Sequence, residues 1–266
     1  MKLRVALYCL LGGLPMCIAA LGAGHFAWWW LSGTVLAASF VPVALFGPAK
    51  PLAQFSVVVP VLLIVTSVCT WTEALLFVPQ FREHAARDLF GSTVIYVIFG
   101  GVLVALAWSL KLSRLSNTSV PHRAPAAAAV RILLCGLAYA LYYLIFGAIT
   151  YQFFTKGYYP EATQAVERLG LWFWALQIGR GLLMTLSVVP IIYTLRMKRW
   201  HAALALGILF WVAGGAAPLL VPDAFMGTTQ RLIHIVEILT QNASLGFTAV
   251  ILLRPRSAPV GAPASV

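Results

Sequence analysis

The chain alternates between long apolar runs and short polar breaks. Eight runs hold about 20 residues each, enough for a helix to cross a hydrocarbon core about 30 Å thick. They cover about residues 3–23, 27–46, 55–78, 90–110, 130–153, 170–195, 201–220 and 232–253. Pro42, Pro60, Pro190 and Pro218 fall inside or near the ends of these runs. Membrane helices tolerate proline where neighbours satisfy the freed carbonyls. The predicted fold is all-α: a polytopic integral membrane protein of about eight transmembrane helices.

The first run has a rival reading. "MKLRVALYCLLGGLPMCIAALGAG" has the basic start, apolar middle and small following residues of a signal peptide. Its apolar stretch is long for a signal sequence. Removal would also leave seven spans and set the chain ends on opposite sides, against the charge pattern below. It is read as a retained helix.

Composition agrees with the pattern. The chain is 61% hydrophobic and 9% charged, with a mean hydropathy of +0.91, which excludes a water-soluble domain of this length. A net charge of +11 would suit nucleic acid if it formed a patch. Instead the basic residues sit in the short breaks, where positive charge sets topology. Lys2, Arg4, Lys50, Lys111, Arg114, Arg123, Arg131, Arg196, Lys198, Arg199, Arg254 and Arg256 belong to the side of the N-terminus. Only Arg82, Arg87, Lys156, Arg168 and Arg231 belong to the opposite side. The acids Glu83, Asp88, Glu161, Glu167 and Asp223 are all in breaks of that opposite side. Both termini are therefore expected in the cytoplasm of a bacterial-type inner membrane. Trp28–Trp30, and Trp172 with Trp174, fall at outer boundaries, where amphipathic rings lie at headgroup depth.

The longest inner break, "KLSRLSNTSVPHRAPAAAAVR", reads as a linker. It would divide a first half (1–110) from a second (131–254), joined by 111–130 and followed by a disordered tail (255–266). "SFVPVALFGPAK" (Ser39–Lys50) resembles "SVVPIIYTLRMK" (Ser187–Lys198), and "LFVP" (Leu76–Pro79) resembles "LLVP" (Leu219–Pro222). Four spans per half would make these parallel repeats. The charged intramembrane residues are not duplicated, so any site would be asymmetric. The Asn117-Thr118-Ser119 triplet and His122 lie in the inner linker, and Asn242-Ala243-Ser244 lies within a span. None suits glycosylation.

Ionisable groups at depth are costly and mark function by default. Glu73, Arg180 and Glu237 stand out, with His234 beside the last. At about 1.5 Å per residue, Glu73 lies ~9 Å deep, Glu237 ~8 Å and Arg180 ~15 Å, all in the outer half. At 100° per residue, Gln230, His234, Glu237, Gln241, Ser244 and Thr248 form one stripe on the eighth span, with Asn242 off it. Thr66, Thr70 and Glu73 share a face of the third span. Gln177, Arg180 and Ser187 share one on the sixth, and Tyr139, Tyr143 and Thr150 one on the fifth. These stripes face each other or a wet cavity. The bland alternative is interhelical glue, worth about 1–2 kcal/mol per contact or less.

Two carboxylates meet one arginine in this set. One of them must be protonated, pair with His234, or bind a cation. The candidate pathway is Glu73, Arg180, His234 and Glu237, with Gln177, Gln241, Tyr143 and Thr70. Arg180 would bind an anionic group or hold a Glu, and Glu237 or Glu73 would take a cation or proton. His234 would tune Glu237.

Other chemistry lacks its motif. His25, His84 and His234 share the outer side, and His84/Asp88 and His234/Glu237 have ligand spacing, but no HExxH or Cys/His cluster accompanies them. Cys9, Cys17, Cys69 and Cys135 lie in apolar runs with no CxxC and read as small buried apolar residues. A bis-His haem, a G-x-S-x-G elbow, a Walker loop and a dinucleotide fingerprint find no residues. "GGVLVALAW" and "FWVAGGAAP" suit close helix packing. No cofactor is expected, and the partners are the bilayer and a small solute or ion. The leading expectation is a small transporter or channel-like protein. A non-catalytic membrane scaffold is the alternative, and a membrane enzyme using His234 and Glu237 as acid and base is the third.

Overall fold

The computed structural model describes residues 1–77, 82–114, 120, 123–158, 162–222 and 226–255. The tail beyond Pro255, His122, the Asn117–Ser119 triplet, Glu161 and Asp223 lie outside the described residues. The described chain is all-helical. Eight helices are long and apolar enough to cross a membrane: α1 (Lys2–Gly22), α2 (Phe26–Phe46), α3 (Pro51–Phe77), α4 (Ala85–Ser109), α5 (Pro125–Thr155), α6 (Leu171–Thr194), α7 (Arg199–Leu220) and α8 (Thr228–Leu253). This is compatible with a multi-pass membrane protein. Several helices outrun their apolar cores. α4 starts at Ala85, so Asp88 lies in its first turn rather than in a break. α5 starts at Pro125, inside the expected linker. Proline at the first helical position and an acid in the first turn both favour helix there.

Helix irregularities trace to particular residues. α2 breaks at Phe40, two residues before Pro42, which cannot donate to the preceding turn. α1 tightens to a 3₁₀ turn at Leu14–Met16, around Pro15. Four helices widen into π-helical turns: Leu62–Cys69 in α3, Tyr151–Thr155 in α5, Val212–Ala216 in α7 and Leu239–Ala243 in α8. Threonines back-bond the widened turns of α3 and α5. Thr70 donates to the Val65 carbonyl at 3.1 Å, Thr155 to Thr150 at 3.5 Å, and Thr66 to Leu62.

Sequential helices pack as hairpins: α1 with α2, α3 with α4, α5 with α6, and α7 with α8. α1 also packs on α4, and α5 on α8. Between the two four-helix runs, α3 meets α6, α2 meets α7, and α3 meets α7. The core runs along α3, α6 and α7 through Val61, Leu62, Val65, Val188, Ile191, Leu206 and Phe210. α5 is peripheral and leaves Leu133, Leu137, Leu141, Leu144 and Ile145 exposed. An apolar face of that length suits lipid and not water. α1 is peripheral too, so Cys9 and Cys17 are only half-buried, whereas Cys69 and Cys135 are buried as expected. The small-residue runs do pack closely. A Cβ on Gly100 would lie 2.7 Å from Val59, and one on Gly215 2.5 Å from Ile238.

α2, α4, α6 and α8 all end on the side where α1 begins, here the terminal end; the opposite side is the far end. Their last carbonyls and negative dipole ends face the terminal end. The basic residues close them. Arg4 donates to Leu110 O at 3.4 Å, Arg123 to Leu252 O at 2.8 Å, and Arg199 to Ile251 O. Arg254 is buried and spans Leu195 O (3.1 Å) and Met197 O (2.6 Å). The backbone amides of Arg114 and Arg196 cap Leu45 and Phe46, each at 2.8 Å. The basic residues that the charge pattern assigns to topology thus also satisfy helix ends.

Candidate functional site

Four helices bring polar side chains together towards the far end: the end of α3, the far half of α5, and the beginnings of α6 and α8. Arg180 is central and buried. Its guanidinium donates to Glu73 Oε2 at 2.7 Å and to Gln177 Oε1 at 2.8 Å. The first bond crosses from α6 to α3, and the second is the i,i−3 contact that helical phase predicts. Tyr143 of α5 donates its hydroxyl to the other Glu73 oxygen at 3.0 Å. The guanidinium also lies 5.7 Å from the Tyr139 ring centroid and 5.9 Å from that of Tyr143. Two aromatic faces and a carboxylate together replace the hydration that a buried cation gives up.

The second carboxylate has other partners. Glu237 Oε2 lies 2.9 Å from His234 Nδ1, and its Oε1 accepts from Gln241 Nε2 at 3.1 Å. Of the open options for two carboxylates and one arginine, the structure shows two pairs: Arg180 with Glu73, and His234 with Glu237. Gly147 on α5 lies beside both: a Cβ there would sit 3.6 Å from Glu237 Oε1 and from Gln241 Nε2, and 3.9 Å from the Tyr143 ring.

Seven of the eight candidate residues therefore fall into two neighbouring hydrogen-bonded groups, Glu73–Arg180–Gln177–Tyr143 and His234–Glu237–Gln241. Thr70 does not, because its hydroxyl turns to the Val65 carbonyl of its own helix. Along the α8 stripe, Gln230 bonds the Gly227 amide at the helix start (2.7 Å), and Thr248 bonds the Tyr142 hydroxyl (2.8 Å). Asn242, off the stripe, points to α7 and donates to Phe210 O at 3.3 Å.

The site has a graded exposure. The Arg180 side chain is 7% exposed, Glu237 13%, His234 25% and Glu73 35%. No residue of Thr70–Phe77 is fully buried or fully exposed, so the far end of α3 is part-exposed along its length while Glu73 and Phe77 face the bundle. Two buried donors, Gln177 Nε2 and Arg180 Nε, have no protein acceptor. Buried donors without partners are rare and ask for an acceptor. One turn towards the far end on α6, Phe173 is buried against Tyr143 (ring centroids 5.8 Å apart) and Phe77 (6.4 Å). These rings roof the Arg180 side of the cluster. His234 lies on the open side.

Sequence reasoning missed Phe173, Gly147 and Gly181 as parts of the site. Phe173 was findable, because it precedes Gln177 by four residues and Arg180 by seven, on one helical face. Gly181 lets α5 and α6 touch: a Cβ there would lie 2.5 Å from Tyr139 Cβ. Its role needs the neighbour's position, which no single helix encodes. Among the described residues, no three His, Cys, Asp or Glu side chains gather as a metal site. Comparison with protein-family models, curated proteins and solved structures finds no match for this chain, so the geometry alone carries the functional reading.

Proposed function

We propose that this chain is a multi-pass inner-membrane protein, with both termini cytoplasmic, that conducts a small cation or proton through a polar cavity open to the far side. The observation that carries this is the pairing of His234 with Glu237 inside a membrane-length helix, part-exposed and next to a second, separate ion pair. An imidazole–carboxylate pair is neutral overall when it holds its exchangeable proton and carries one net negative charge without it, so it can release that proton and take up another, or take a small cation in its place. Arg180 and Glu73 form the fixed wall of the cavity. His234 and Glu237 form its exchanging element, and Gln241 extends it inward.

The architecture we infer is two parallel four-helix repeats. Several observations support it. The helix contacts keep their pattern when α1–α4 are exchanged for α5–α8, including the cross-contacts α3–α6 and α2–α7. Gly33 and Gly181 each stand nine residues before the matched prolines Pro42 and Pro190. Gly33 packs on Gly13 and Met16, as Gly181 packs on Gly136 and Tyr139. The residue before each glycine reaches into the other half: Ser32 bonds Ala217 O on α7 at 2.7 Å, and Arg180 bonds Glu73 on α3. The charged site is thus one of two equivalent positions, and only one carries charge.

A second reading has its own observation. All four oxygens of Glu73 and Glu237 have partners, which also suits a non-catalytic scaffold held by buried polar contacts. Proton uptake into proteoliposomes, driven by an imposed membrane potential, separates the two. Glu237→Gln abolishes uptake if the pair conducts. Uptake that Glu237→Gln leaves unchanged, or no uptake by the parent protein, supports the scaffold.

A further inference from the structure

A cleft of about 420 Å³ opens at the terminal end, away from the charged cluster. It lies between the end of α2, the start of α3 and the end of α4, and Gln54, Trp108, Ser109, Lys111 and Ser113 are among its lining residues. We propose that it binds the phosphate-bearing headgroup of an anionic phospholipid. The proposal rests on the membrane reading above but not on conduction.

Charge comes first. The described acids Glu73, Glu83, Asp88, Glu167 and Glu237 all belong to the far end or the loops there. Around the cleft stand Lys50, Lys111 and Arg114, with Arg4 at the end of α4. The first turn of α3 adds free amides and a positive dipole end. An anion is the matching occupant of such a cleft.

Lys111 is placed there at a cost. α4 closes with Leu112 N donating to Ala107 O and Lys111 N to Trp108 O, each at 3.0 Å. This is the Schellman arrangement, whose left-handed position normally takes glycine. Here it takes Lys111, at φ 50°. Leu112 beside it is fully buried and anchors the turn. A strained lysine held by an anchored turn points to a use for its charge.

The depth selects the source. The cleft is at the ends of membrane-length helices, where headgroups lie. Trp108, 67% exposed, flanks it, and Leu52, 80% exposed, follows Lys50 on the adjoining turn. Both suit the boundary between headgroup and acyl chain. Gln54, buried and lining the cleft, donates one amide hydrogen to Val43 O at 3.5 Å, and a headgroup would meet the rest of its amide.

The test titrates the full chain, purified in a neutral detergent, with phosphatidylglycerol and reads its melting temperature. Phosphatidylglycerol raises the melting temperature; phosphatidylcholine and inorganic phosphate do not. Lys111→Asn, which tolerates the left-handed backbone, weakens the apparent affinity about fivefold, the effect of one lysine at a membrane surface. Its melting temperature without lipid stays at the parent value. Lys198→Gln, at the same end but outside the cleft, keeps the parent affinity. Parent affinity in Lys111→Asn, or an equal loss in Lys198→Gln, overturns the site. An equal response to phosphatidylcholine overturns the anionic headgroup, and the full response to inorganic phosphate overturns the lipid.

Discussion

Arg180 on α6 holds Glu73 on α3 at 2.7 Å, and this bond ties the two four-helix runs together at the far end. Its neighbours make it more than a surface pair. Gln177 and two tyrosine rings surround the guanidinium, which has little water to replace a lost partner.

Breaking this pair on one side leaves a charge stranded. Removing one partner of a buried pair costs about 3–5 kcal/mol. Glu73 is about one-third exposed, which places Arg180→Ala at the lower end of that range. Glu73→Gln costs less, because the amide oxygen still accepts from Arg180. The double variant loses less than the sum of the singles, with a coupling of about 1 kcal/mol or more. Melting curves of the four proteins in detergent check this. Additive losses would show that the pair contributes no coupling.

Two neighbouring glycines should behave oppositely. Gly181→Ala drives a methyl into Tyr139 and separates α5 from α6, at a cost of about 1–3 kcal/mol. Gly179 has open space at its Cβ position, so Gly179→Ala gains up to about 1 kcal/mol of helix propensity. The same melting assay reads both. Equal effects would mean that the close contact at Gly181 does not limit packing.

Arg254 offers a test of the terminal end. It bridges two carbonyls just past the end of α6 while itself buried. Arg254→Ala removes charged hydrogen bonds worth about 1.5–3 kcal/mol each and strands both carbonyls. Arg254→Lys does not restore stability fully, because a single ammonium lacks the planar fork that reaches two acceptors. Full rescue by lysine would reduce the role of Arg254 to charge alone.

The helices were legible in the sequence because apolar run length is a direct physical requirement of a span. The Gln177–Arg180 and His234–Glu237–Gln241 alignments were legible because each falls within one helix, where phase fixes neighbours. The choice of Glu73 over Glu237 by Arg180 was not, since it depends on which helices touch. The threonine stripe of α3 misled for a local reason. A π-helical turn widens the backbone there, and Thr66 and Thr70 spend their hydroxyls on its carbonyls. Ideal helical phase also takes no account of the π-helical turn at Leu239–Ala243, where Asn242 turns to α7 and away from the Gln241 face. The glycines that let α5 approach α6 and α8 have no signature of their own in the chain.

Conduction as proposed requires the His234–Glu237 face of α8 to meet water inside a membrane, while the opposite face meets lipid. Thiol labelling tests it most directly, using His234→Cys and Val236→Cys in a chain whose four native cysteines are replaced. Val236 is 60% exposed, whereas the His234 side chain is 25% exposed. The thiolate is the species that adds to a maleimide, and it forms in water and not in hydrocarbon. A membrane-impermeant maleimide added to the far side of proteoliposomes should therefore label Cys at 234 faster than Cys at 236, against their order of exposure. Faster labelling at 236 would contradict a conducting His234–Glu237 face, because it would put water on the face assigned to lipid.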